Sequence, residues 1–191
     1  DDQALPALRR LFTQKSVALA APRLVLQQDK SPLVDAGLHV VGEGALLQNY
    51  VGERQGLAAR GYLNRLQMAQ DVAGVHGSCW MARRSAVLAA GALDEISTPT
   101  FQPVTDLGYR LQQSGWRLVW TPQANALHAG GMTLNALRRD PAHALALSQA
   151  AMAEARHMRN RWLSFAGQHP LYGKHLSGSQ PYALDMHLVN R

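Results

Sequence analysis

A single cysteine, Cys79, among 191 residues rules out an intrachain disulfide and any zinc centre built from several thiolates. Charge is scarce as well. Charged residues make up 17%, against the roughly 25% usual for soluble domains, and with 47% apolar residues this argues against intrinsic disorder. The acidic sign is the scarcer one: 13 Asp and Glu face 19 Lys and Arg, a formal net charge of +6. No run comes near the roughly 18 apolar residues that span a bilayer, and no signal-peptide pattern opens the chain. An initiating Met is missing too. With Asp1 standing first, the reading expects a processed chain or a piece of something longer. What is left is one globular domain, large enough to bury a core, from a reducing compartment.

Several signatures of common chemistry are missing. No G-x-S-x-G elbow surrounds Ser78, there is no H-E-x-x-H and no Walker loop, and Gly42-Glu43-Gly44 lacks the third glycine of a dinucleotide turn. The eight histidines include no i, i+4 pair on a helix. The excess positive charge favours anionic partners, but the arginines come in twos, at Arg9-Arg10, Arg83-Arg84 and Arg138-Arg139. None forms the block of five to eight expected of a nucleic-acid-binding tail, so nucleic acid is excluded as the expected partner.

Strands alternate with helices through the first 128 residues, which predicts an α/β fold. A helix is expected from Pro6 through Leu8, Leu11 and Phe12, with Asp1 and Asp2 just ahead of it. Val17 to Ala21 and Leu24 to Gln28 read as two short strands broken by Pro22, with a turn from Gln27 to Pro32. Leu38 to Val41 is a further strand, closed by the turn at 42–44, and Asn49 to Gln70 is an irregular loop. Val72 to Ala82 reads as a strand whose small central residues, Gly74, Gly77 and Ser78, suit close approach of a ligand or a neighbouring backbone. Ser85 to Ala90 is a helix stopped by Gly91, and Thr105 is placed to cap a helix that ends at Gly115. Arg117 to Trp120 and Ala124 to His128 are strands separated by a Thr121-Pro122 turn. Asp140-Pro141 opens a long alanine-rich helix over Ala142 to Phe165, and the tail after Gly167 is expected to wrap another surface.

The stretch from Val72 to Gly131 carries an ordered set of motifs. They are His76-Gly77-Ser78-Cys79-Trp80-Met81-Ala82-Arg83-Arg84, Gly91-Ala92-Leu93-Asp94-Glu95, Thr105-Asp106-Leu107-Gly108-Tyr109-Arg110-Leu111, Ser114-Gly115-Trp116 through Trp120-Thr121-Pro122, and His128. This order resembles the second half of family 2 glycosyltransferases of the rhamnosyltransferase-like kind, whose pattern runs "tGaCllirR … GgFDE … nDvDLclRl … aGyrlvytP … H". Outside that stretch, Asp1-Asp2-Gln3-Ala4-Leu5-Pro6 is similar to the family's "nDDxxxP" segment and Asp35-Ala36-Gly37 to its "haG" element. Arg161-Trp162, His169-Pro170-Leu171-Tyr172 and Leu176-Ser177 look like its "rW … DPyYnpnLs" tail.

The resemblance implies the C-terminal portion of a GT-A fold: a mixed sheet flanked by helices, with a long C-terminal helix. Residues 1–135 would form the partial catalytic domain and 136–191 a helix and wrapping tail, the strands that bind base and ribose preceding them. It further implies a nucleotide-sugar donor, a saccharide or lipid-linked saccharide acceptor, and a Mg²⁺ or Mn²⁺ ion held by Asp1, Asp2 and His128. Gly77 and Ser78 would floor the donor sugar, Asp94 and Glu95 would serve the acceptor side, and Trp116 could stack on a sugar. The family's base falls nine residues after the Glu of its "GFDE", which is Val104 here, leaving Asp106 as the substitute. That departure keeps open a second expectation, a non-catalytic binding or assembly module on the same fold. Cytoplasmic location, at the inner face of the membrane, would follow from a cell-surface polysaccharide product. Arg156, Arg159 and Arg161 near the end of the long helix suit peripheral membrane association. A half-fold would also leave a sheet edge open, which predicts a homodimer or poor solubility.

Overall fold

The computed structural model describes residues 2–27, 33–41, 46–49, 58–166, 169–171, 173, 175–177, 183–184 and 186. Its centre is a mixed sheet in which two long parallel strands, β1 (Val17–Leu26) and β7 (Arg117–His128), lie side by side. On the outer edge of β1 sit two short antiparallel partners, β6 (Met81–Ala82) against its first half and β2 (Leu33–Asp35) against its second. The outer edge of β7 pairs antiparallel with β5 (Gln70–Asp71). Strands β3 (Leu38–Val41) and β4 (Leu46–Asn49) form a separate antiparallel pair. The turns expected at 28–32 and 42–44 lie outside the described residues.

β1 is buried along almost its whole length because both of its faces are covered. Helix α1 (Ala4–Leu11) lays Leu8 on Ala20 and Ala124 from one side. From the other side α2 (Arg84–Ala89) and α3 (Pro103–Gln113) bring Ala86, Leu107 and Leu111 onto Leu19, Leu118 and the fully buried Trp120. The short α4 (Met132–Leu137) follows β7, and α5 (Pro141–Ala166) is a 26-residue helix. One stripe of α5 is buried, at Glu154, Met158, Trp162 and Ala166, the i, i+4 spacing of a single helix face. Tyr109 of α3 and Ala73 receive its apolar members.

Several sequence expectations change. β1 and β7 each run unbroken past their prolines, and the register jumps where the two irregularities face each other: Pro22 pairs with Thr121, the next residue Arg23 with Asn125. A proline has no N–H for the ladder, so a bulge is where a strand tolerates it. The stretch 72–80 is not a strand beyond a bridge at Gly74 and the entry to β6. A side chain replaces the ladder there: Gln112 Nε2 donates to the carbonyls of Val72 (3.0 Å) and Ala73 (3.1 Å). Helix α3 starts at Pro103, two residues before Thr105, and α1 starts at Ala4, so Pro6 falls in the first turn, where its missing N–H costs nothing. The loop expected over 49–70 contains a 3₁₀ segment, Tyr62–Gln67, kinked at Leu63 and Asn64. Among the described residues no helix is long and apolar enough to cross a membrane.

Candidate functional site

In sheets with parallel strands, ligands gather at the strands' C-terminal ends. β1 and β7 end together there, with Leu26 paired to His128. Immediately beyond, Gly130 and Gly131 have φ of +79° and +73°, a conformation that favours glycine. The curl they make turns the Gly130 N–H back onto His128 Nδ1 at 2.9 Å. On the other side of the ring, Nε2 stands 3.0 Å from Ser78 Oγ. The Ser78 backbone N–H in turn donates to His76 Nδ1 at 3.2 Å, and the two imidazoles meet edge to face with centroids 5.5 Å apart.

These contacts fix the tautomers. Each Nδ1 accepts from a backbone N–H, so each neutral ring carries its hydrogen on Nε2. His128 therefore donates to Ser78 Oγ and cannot take its proton, which excludes a serine–histidine nucleophile. Burial, and after it the proximity of His128, holds His76 below the usual histidine range, so it is neutral near pH 7.

His76, Gly77 and Ser78 form one wall of a cleft of about 390 Å³. The segment Thr100–Thr105 forms another wall, and Leu134 of α4 also lines the cleft. That wall is held from behind by Glu154 of α5. Its carboxylate, almost fully buried, accepts from the backbone N–H groups of Thr100 (2.9 Å), Phe101 (2.8 Å) and Gln102 (2.8 Å), just ahead of the α3 N-terminus. A negative charge is favoured at that end of a helix.

The expected site residues thus separate into groups. Gly77, Ser78 and His128, 50 residues apart in the chain, come together, and Val104 joins Gly77 and Ser78 around the cleft. Asp106 does not. Two residues along a helix is a rotation of about 200°, so Asp106 faces away from the side that Val104 presents. Its buried carboxylate accepts from Trp162 Nε1 (2.8 Å) and Arg110 Nε (2.8 Å), with Arg161 at 3.4 Å. Asp94 and Glu95 border a separate groove with Arg110 and Arg161, and Asp94 Oδ1 caps the N–H groups of Ile96 and Ser97. Those N–H bonds pull the Asp94 pKa down. Trp116 lines a third hollow, of about 220 Å³, with Arg117, Phe165 and Pro170. Asp2 is exposed ahead of α1, and Asp1 lies outside the described residues.

The cation expected at Asp1, Asp2 and His128 meets an obstacle in the donor set. His128 already uses both ring nitrogens, so ligation through Nε2 requires the proton to move to Nδ1 and the Gly130 contact to be lost. Among the described residues no three His, Cys, Asp or Glu side chains gather as metal ligands would.

Two residues that matter were not singled out from the sequence. His76 had no signal beyond its place beside Gly77. Glu154 did: it is the single acid in α5 and sits on the same i, i+4 stripe as Met158 and Trp162.

No family model matches the chain. Over 83 residues it is 39% identical to N-acetylglucosaminyl-diphospho-decaprenol L-rhamnosyltransferase of two Mycobacterium tuberculosis strains, a match covering 43% of this chain and 26% of the enzyme. Over 89 residues it is 33% identical to "Uncharacterized protein y4gI" of Sinorhizobium fredii, covering 47% of this chain and 9% of that protein. The chain has distant, partial homology to a glycosyltransferase. It spans only a minor part of the length of the relatives it matches.

Proposed function

We propose that this chain forms the donor-sugar part of a glycosyltransferase that moves a sugar, of the deoxyhexose type handled by the mycobacterial relative, from a nucleoside diphosphate to a saccharide or lipid-linked saccharide. One observation carries the reading. Gly77, Ser78 and His128, distant in sequence and implied together by the resemblance, meet at a cleft on the C-terminal edge of the parallel β1–β7 pair. A cleft of this size fits a pyranose ring and part of a diphosphate. Its lining is neutral, with backbone approach at Gly77 and hydroxyl or amide groups at Ser78, Thr100, Gln102 and Thr105 to orient sugar hydroxyls. By family analogy the transfer inverts the anomeric carbon.

Val104 favours a second reading, a module that binds the nucleotide-sugar without turning it over. It stands on the cleft where the family carries its base, and no carboxylate is among the described lining residues. Nucleoside diphosphate release from dTDP- and UDP-sugars, with a lipid-diphosphate saccharide as acceptor, separates the two. Release that disappears on Gly77→Leu supports the transferase, and donor binding without release supports the module. Absence of both rejects the cleft as a donor site.

A further inference from the structure

We infer that His76, Ser78 and His128 form a hydrogen-bond-donor site for a phosphate-type anion, able to hold the donor's diphosphate without a bridging cation. The inference deepens the transferase reading and rests on it. Its basis is the direction of the hydrogen bonds. The Gly130 N–H fixes His128 Nδ1 as an acceptor, which puts the ring hydrogen on Nε2, pointed at Ser78 Oγ. Ser78 accepts that bond, so its own hydroxyl hydrogen is free to point outward. The Ser78 N–H fixes His76 in the same tautomer, and among the described residues no group takes the hydrogen of His76 Nε2. The cluster therefore offers an N–H and an O–H at the wall of a cleft, with the His128 N–H polarising the hydroxyl behind it.

A cation brought to this wall meets hydrogens where it needs lone pairs; a phosphate oxygen meets the partners it prefers. The rest of the lining agrees. Its other described members are apolar side chains, glycine, hydroxyls and one amide, and the Glu154 carboxylate behind the Thr100–Thr105 wall is taken up by three backbone N–H groups. The formal charge of +6 draws anions toward the molecule as a whole.

The test is calorimetric titration of the chain with inorganic pyrophosphate in EDTA, repeated with Mn²⁺ in place of chelator. The inference predicts binding in EDTA that weakens at least tenfold in His76→Ala and several-fold in Ser78→Ala. His76→Gln, whose amide returns an N–H near the place of Nε2, should stay within about threefold of the parent. Long-range ¹H–¹⁵N spectra of the histidine rings give an independent readout: both rings should be Nε2–H tautomers, with the His76 signals moving on pyrophosphate addition. Binding that requires Mn²⁺ and ignores His76→Ala would overturn the inference while leaving the transferase reading intact. So would Nδ1–H tautomers. No binding in either buffer also overturns it, and the nucleotide-release assay then judges the transferase reading separately.

Discussion

The Asp106 carboxylate lies between α3 and α5, bonded to Trp162 Nε1 and Arg110 Nε with Arg161 beside it. Arg110 passes the connection on to the carbonyls of Ala90 and Ala92, so one buried acid ties together α3, α5 and the turn after α2. Removing such an acid strands its partners in a dry setting. Asp106→Ala is predicted to cost about 3–5 kcal/mol by urea unfolding, and Asp106→Asn less, since the amide oxygen still accepts from Trp162. Two other buried groups give opposite pH signatures. His169 Nε2 donates to Gln112 Oε1 at 2.6 Å, and its Nδ1 accepts from the Leu171 N–H, so the neutral ring is held; burial pushes its pKa down to about 4. The unfolded chain then binds the extra proton first: stability is full above about 6.5 and is lost as pH falls toward 4. Between pH 7 and 4.5 the parent should lose about 2 kcal/mol more than His169→Gln. Asp35 is the reverse case. It is fully buried, neither oxygen has a hydrogen-bond partner of good geometry among the described residues, and burial raises its pKa to about 7 against the smaller opposing pulls of Gly37 and Arg65. Its favourable contribution is present below about 3.8 and disappears as pH rises through 7, so Asp35→Asn should gain about 4 kcal/mol at pH 8 and little at pH 4. At this scale the sequence was legible where residue type alone decides. The grouping of Gly77, Ser78 and His128 came from the resemblance instead, and the structure sets Ser78 against His128. The orientation of Asp106 was not legible: it depends on which face of α3 receives Trp162, and that is a tertiary fact.

Glu154 shows what a single element contributes. Its three backbone N–H partners, from Thr100 to Gln102, form the stretch of cleft wall that leads into α3, so α5 holds a wall it does not line. Glu154→Gln keeps one acceptor and loses the charge; a cost of about 1–3 kcal/mol is predicted, read by thermal unfolding. Hydrogen exchange should quicken selectively at the amides of Thr100, Phe101 and Gln102, and unchanged exchange there would contradict the assignment. The long helix itself was plain from Asp140-Pro141 and the alanine-rich run behind it. The strand breaks at Pro22 and at Thr121-Pro122 were misplaced for a physical reason: a proline that interrupts an isolated strand can be absorbed when its neighbour bulges at the same level. The strand expected over 72–82 forms only at Met81–Ala82; near its start Gln112, 39 residues on from Ala73, supplies hydrogen bonds a neighbouring strand would have supplied.

For the whole molecule, the alternation of strands and helices gave the α/β class, and the mixed sheet with flanking helices was what the resemblance implied. The placing of the cleft followed from the parallel pairing of β1 with β7, which periodicity cannot supply because the two strands are separated by 90 residues of chain. That cleft is the centre of the account. Gly77 offers a way to close it without disturbing the rest: its backbone is not in the left-handed region, and an added Cβ meets only Val104 Cγ2, at an ordinary 3.8 Å. The decisive measurement is ligand-observed NMR titration of dTDP and UDP against the parent chain and Gly77→Leu, with thermal unfolding recorded for both. The account predicts binding by the parent, at least tenfold weaker binding by Gly77→Leu, and midpoints within a few degrees of each other. Nucleotide binding that survives Gly77→Leu unchanged, or a parent chain that binds neither nucleotide, would contradict it.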